Sequence, residues 1–145
     1  MIYAEESPDT FFKDMEALLP LYESELPLVY PIKPDWDQYR ALYDAGVLFC
    51  LTARDGENLV GYFVIIVSPN LSSRGEKMMF GATLFVRKEY RGKGPGIRLI
   101  RMAEKKAKDY NVQSVMISSP ARQPIGGLLE KMGYRAEETL YSRRL

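Results

Sequence analysis

The sequence predicts an α/β (α+β) domain, with one mixed central sheet of about six or seven strands and about four helices. Three observations predict it. Patterned segments follow one another in the order α-α-β-β-β-α-β-α-β, with a short strand-like run ahead of them. The strand-like run 80–86 passes through a glycine-rich turn into a long amphipathic segment, and the apolar run 112–118 follows, as in a crossover to a parallel strand. The chain has 145 residues, 46% hydrophobic and 27% charged, which suits a single globular domain over 1–145 with a sizeable core.

Each element has its own reason. Residues 1–4 read as an edge strand. Ser7-Pro8 is a helix start, with Ser as cap and Pro at the first helical position. Phe11, Phe12, Met15, Leu18, Leu19 and Tyr22 then recur at helical spacing. Pro27, Pro31 and Pro34 mark an extended loop. Asp35 to Gln38 resembles a capping box, and Trp36, Tyr39, Leu42 and Tyr43 form the apolar face of a second helix ended by Gly46. Strands are expected at 47–53, 59–67 and 78–86. The first two are joined by a hairpin at Asp55-Gly56 whose loop extends through Glu57 and Asn58, and a polar loop at 68–77 precedes the third. Gly81 inside a strand signals a bulge or a close backbone contact. In the long helix Leu99, Ile100, Ala103, Ala107 and Tyr110 share a face, and Asn111 ends it. The strand 112–118, a helix at 126–132 ended by Gly133, and two last strands at 134–136 and 138–143 complete the chain.

Composition excludes several function classes. With no histidine and one cysteine, the commonest general base and the usual zinc ligands are missing, so no metal is expected. Cys50 lies in an apolar run, reads as a packing residue, and has no histidine to activate it as a nucleophile. A net charge of +1 argues against a nucleic-acid partner, although Arg98, Arg101, Lys105 and Lys108 form a local basic face. No apolar run reaches the ~20 residues that span a bilayer, so no membrane partner is expected. Acidic Glu5 and Glu6 do not suit a secretory signal, and the expected compartment is cytoplasmic.

Arg91-Gly92-Lys93-Gly94-Pro95-Gly96 carries the chemistry. Three glycines free the backbone to turn its N–H groups toward one point. The helix that starts there adds unpaired donors and a positive dipole end, and Arg91 and Lys93 add charge. Such a strand, turn and helix N-terminus form a phosphate cradle. The same residues also fit a tight turn with solvated charges. Spacing separates the cradle's rivals. A P-loop needs Ser or Thr after its lysine, and Gly94 follows Lys93. A dinucleotide fingerprint needs a third glycine where Ile97 stands.

The spacing Arg-x-x-Gly-x-Gly resembles the coenzyme A loop of the GNAT superfamily of N-acetyltransferases. Three further matches fall in the family's order: Val60-Gly61-Tyr62 in the second strand of the meander, Glu89-Tyr90 before the loop, and Leu128-Leu129-Glu130-Lys131-Met132-Gly133-Tyr134 at the last helix. The resemblance covers nearly the whole chain, and within the superfamily the likeness is to small acetyltransferase-like proteins encoded by phages. It implies the GNAT fold and acetyl-CoA as co-substrate. Backbone groups of Leu84, Phe85 and Val86 would pair with pantetheine, and the stretch Arg91, Gly92, Lys93, Gly94, Pro95 and Gly96 would hold the pyrophosphate. Arg87 or Lys88 would meet the adenosine phosphate, or both are simply solvated.

The sequence also departs from the family. Where many members carry a Tyr general acid, an Asn that contacts pantetheine and a Glu base, this chain has Leu129, Arg122 and Phe80. Ser119, Tyr30 and Tyr141 are the available substitutes, each with a packing or turn-capping role as its alternative. Glu23 and Glu25 would attract a cationic amine or form a solvated helix end. The resemblance therefore implies an N-acetyltransferase for an unidentified amine on a small molecule or protein, or a degenerate member that binds CoA or a protein partner. A homodimer would suit an exposed final strand at 138–143.

Overall fold

A computed structural model describes residues 1–145. Ten elements form in the order β1 (Ile2–Glu6), α1 (Pro8–Glu25), α2 (Trp36–Asp44), β2 (Leu48–Asp55), β3 (Asn58–Pro69), β4 (Lys77–Val86), a 3-10 turn (Lys88–Tyr90), α3 (Pro95–Asp109), β5 (Ser114–Ile117) and α4 (Gly126–Lys131). The chain divides into two compact units. The first comprises Met1–Ala17 and Asp35–Ile117, and the second Leu18–Pro34 and Ser118–Leu145.

The first unit holds one five-stranded sheet in the order β1-β2-β3-β4-β5. The first four strands are antiparallel, and β5 is parallel to β4 after the α3 crossover. The mixed architecture agrees with the sequence reading, with fewer strands than the six or seven expected. The β2–β3 connection is tighter than expected. Asp55 pairs with Asn58, which leaves a two-residue turn, Gly56-Glu57, with Gly56 at φ +60°. A left-handed glycine at the first central position is the type II′ pattern, whose twist matches that of the strands it joins.

The core lies along β2 and β3. Leu48, Phe49, Cys50 and Leu51 are buried, as are Val60, Tyr62, Phe63, Val64 and Ile65. Phe11 of α1 stacks edge-on against Tyr62, and Tyr62 packs beside Phe85. Leu99, Ile100, Ala103 and Ala107 of α3 are buried. Tyr110, expected on the same face, is 43% exposed, and its ring edge meets Phe49. Arg54 ties three elements together, bonding Glu6 of β1 and Asp14 of α1 and donating to the Glu57 carbonyl.

In the second unit, Leu18, Leu26 and Leu129 are buried. Glu23 accepts the Ile32 amide and so ties the proline-rich loop back to the last turn of α1. No strand forms at 134–136 or 138–143. A strand is specified by apolar residues on alternate positions. Here Leu140 and Tyr141 are adjacent, so their side chains would point to opposite faces. Both remain exposed.

Candidate functional site

Two features of the first unit meet at the C-terminal end of β4. The first is an open strand edge. β5 pairs with β4 only from Met78↔Ser114 to Gly81↔Ile117, whereas β4 runs on to Val86. At that point the β3–β4 register shifts, because Val64 faces Thr83 and Ile65 faces Gly81, leaving Ala82 as an extra residue. This is a β-bulge, which bends its strand. Beyond it β4 has a partner on one side alone.

The hydrogen-bond phase fixes which groups face the open side. The Arg87 N–H donates to the Val60 carbonyl at 2.8 Å. Alternation along an antiparallel ladder then turns the backbone groups of Phe85 and Thr83 toward β3, and those of Val86 and Leu84 away from it. Of the three residues expected to line this edge, Leu84 and Val86 present backbone groups to it. Phe85 instead faces Tyr62 across the ladder, with its ring buried.

The second feature is the turn into α3. Gly92 and Gly94 have φ of +75° and +106°, values open to glycine and strained for other residues. A Cβ built on either meets nothing within 4 Å, so the space in front of them is open. Gly94 caps α3 with no side-chain bond, and Pro95, at the first helical position, has no N–H. The amides of Gly92, Gly94, Gly96 and Ile97 donate to no group of the chain. By contrast, the Asp35 side chain satisfies the start of α2 by accepting from the Gln38 N–H. Four free amides at the N-terminus of a 15-residue helix favour an anion.

Ile97 was not anticipated, yet helix chemistry identifies it. Once Pro95 removes the donor at the first position, Gly96 and Ile97 carry the next two orphan amides. The close approach at Gly61 was not anticipated either. A Cβ there would lie 3.0 Å from the Phe85 carbonyl oxygen and 3.2 Å from Val86 Cγ2. This glycine lets β3 sit tightly against the end of β4.

The charged side chains around the turn differ in their engagement. Arg87 pairs with Glu89 at 3.2 Å. Tyr90 donates its hydroxyl to Asp55 at 2.8 Å, which raises the phenol's pKa. Arg91 donates Nε to the Val86 carbonyl at 2.8 Å, with its guanidinium 5.7 Å from the centre of the Phe85 ring. Lys88 and Lys93 are exposed and have no partner in the chain.

The proton-transfer candidates all lie in the second unit. The Ser119 Oγ accepts the Ile125 amide at 2.8 Å and so braces the turn before α4. Tyr30 is exposed in the proline-rich loop, and Tyr141 is exposed near the C-terminus. Leu129 is buried in α4, and Arg122 is exposed. Phe80, in the first unit, is partly exposed on β4.

Residues 15–134 match the model of the acetyltransferase (GNAT) family. No curated protein matches the chain significantly. Among solved structures, a ribosomal-protein-alanine N-acetyltransferase from Brucella melitensis biovar Abortus 2308 is similar at 22% identity and a TM-score of 0.75, with all of both chains covered. An aminoglycoside acetyltransferase from an uncultured soil metagenomic sample is 17% identical at a TM-score of 0.75, covering 99% of this chain and 97% of that one. An aminoglycoside N-acetyltransferase in complex with CoA is 11% identical at a TM-score of 0.74, with 99% of each chain covered. At these identities the likeness is one of fold.

Proposed function

The chain belongs to the acetyltransferase (GNAT) family, and from that premise we propose that it transfers the acetyl group of acetyl-CoA to a primary amine by direct attack in a ternary complex. The observation that carries this reading is the set of four unpartnered amides at Gly92, Gly94, Gly96 and Ile97, at the end of a strand whose outer edge is open. Their donors suit a pyrophosphate. Leu84 and Val86 offer a strand-like track to an amide-bearing arm such as pantetheine. Acetyl-CoA supplies the activated acetyl thioester.

The chain's own contribution is mainly placement. Holding an amine beside a thioester accounts for a large share of acceleration in such reactions. The amine's C–N bond forms as the C–S bond breaks, the amine's proton passes to water, and the thiolate leaves. A thiolate leaves readily because its conjugate acid has a pKa of only ~8.5. A dedicated proton donor is therefore dispensable in this scheme, consistent with Leu129 standing buried where many family members carry a tyrosine.

That same leucine favours a second reading, in which the chain binds CoA and acts without transfer. Thiol release from acetyl-CoA, measured across a panel of small amines and peptide N-termini, separates the two. Transfer predicts at least one amine that raises the release rate severalfold above the amine-free rate. A flat response across the panel, with CoA binding intact, would favour the second reading.

A further inference from the structure

Arg91 and Lys93 are the two cations of the glycine-rich turn, and the structure gives them different surroundings. Arg91 lies back against the sheet. Its Nε donates to the Val86 carbonyl at 2.8 Å, and its guanidinium lies against the ring of buried Phe85. By the phase of the β3–β4 ladder, that carbonyl faces the open edge. It is also the last one before β4 ends. Arg91 therefore occupies the terminal acceptor of the open edge. What stays available to a strand-like ligand is the Leu84 N–H and carbonyl and the Val86 N–H.

The preceding residue is tethered as well, since the Tyr90 hydroxyl donates to Asp55 at the β2–β3 turn. Two consecutive side chains thus anchor the turn to two places on the sheet, and the free amides begin immediately afterwards at Gly92. Lys93 sits between the two left-handed glycines, exposed and without a partner.

We infer that Arg91 is a positioning residue that ends the open edge of β4 by occupying the Val86 carbonyl, and that Lys93 is the side-chain cation for the phosphates. This rests on the CoA-binding reading above. A ligand pairing along β4 meets, after Val86, an acceptor already engaged by Arg91 where the strand itself ends, and leaves it there, at the start of the cradle. The Arg91 contact with the Val86 carbonyl is a hydrogen bond made through Nε, so this contact needs a donor at that depth, whatever else the guanidinium touches.

Glutamine tests this directly, because its Nε2 stands as many bonds from the backbone as the arginine Nε and carries no charge. The probes are CoA, which carries phosphates, and pantetheine, which carries none. Calorimetric titration of Arg91→Gln should give dissociation constants within about threefold of the parent for both. Arg91→Met, which keeps the stem and removes the donor, should weaken both by a similar factor of about five or more. Lys93→Gln should weaken CoA by about tenfold, the size of one charge-assisted contact, and leave pantetheine unchanged.

The inference is overturned if Arg91→Gln weakens CoA tenfold while pantetheine is unaffected, since Arg91 would then be a phosphate ligand. It is equally overturned if Arg91→Met binds both probes as the parent does, or if Lys93→Gln binds CoA normally. Should Arg91→Met fail to fold, Arg91→Gln alone still decides the role of the charge. A parent protein that binds no CoA contradicts the CoA-binding reading itself, and so is distinguishable from failure of the Arg91 assignment.

Discussion

Cys50 carries the chain's one thiol, and its surroundings remove it from chemistry. It is fully buried on β2, and burial, aided by Glu5 and Glu6, pushes its pKa up to about 12. The pH dependence follows from the sign of that shift. An unfolded chain ionises this thiol at its ordinary value near 9, and the folded chain holds the proton until about 12. Its contribution to stability is therefore fully present below pH 9 and is lost as pH rises toward 12. Urea unfolding between pH 8 and 11 should show stability falling with pH, with a shallower fall in Cys50→Ala. Equal slopes in the two proteins would contradict the burial account. The burial of Cys50 was legible from its apolar neighbours. For Ser119, a serine before proline favours a turn brace over a reactive group, and the bond from the Ile125 amide to its hydroxyl is of the bracing kind.

The strand β4 shows what an element adds to its residues. Gly81 signalled either a bulge or a close approach, and β4 has both at that point. Ala82 is the extra residue beside it, and a Cβ on Gly81 would lie 2.6 Å from two ring atoms of Phe63. Phe63 is itself completely buried. Gly81→Ala should therefore cost about 1–3 kcal/mol, the range for overpacking a tight core. Combining it with Phe63→Leu should recover part of that loss, a coupling that unfolding curves of the four proteins would measure. Simple additivity would mean that the two sites do not touch. The bulge was legible through its glycine. The phase of the open edge was not, because which backbone groups face outward depends on a register between β3 and β4 that only pairing fixes. That is why Phe85 was expected on the edge together with Leu84 and Val86.

At the scale of the whole molecule, the order of elements was readable because each carries a local signal: Ser7-Pro8 and Asp35 start helices, Gly46, Asn111 and Gly133 end them, and period-two or period-four patterns lie between. The C-terminal residues were misread as strands for the opposite reason. A strand at 138–143 would need a partner and an apolar face, and adjacent Leu140 and Tyr141 supply no single face. No helix is long and apolar enough to cross a membrane. The family follows from the match over residues 15–134, and the cradle at the start of α3 is where a CoA-dependent function either stands or falls. The most direct test is calorimetric titration of the protein and its Gly94→Asp variant with acetyl-CoA and CoA. Aspartate at φ +106° is strained, and it brings a negative charge among the four free amides. The account predicts micromolar or tighter binding to the parent, weakened at least tenfold in the variant. Parent binding absent at millimolar ligand, or unchanged by Gly94→Asp, would contradict it.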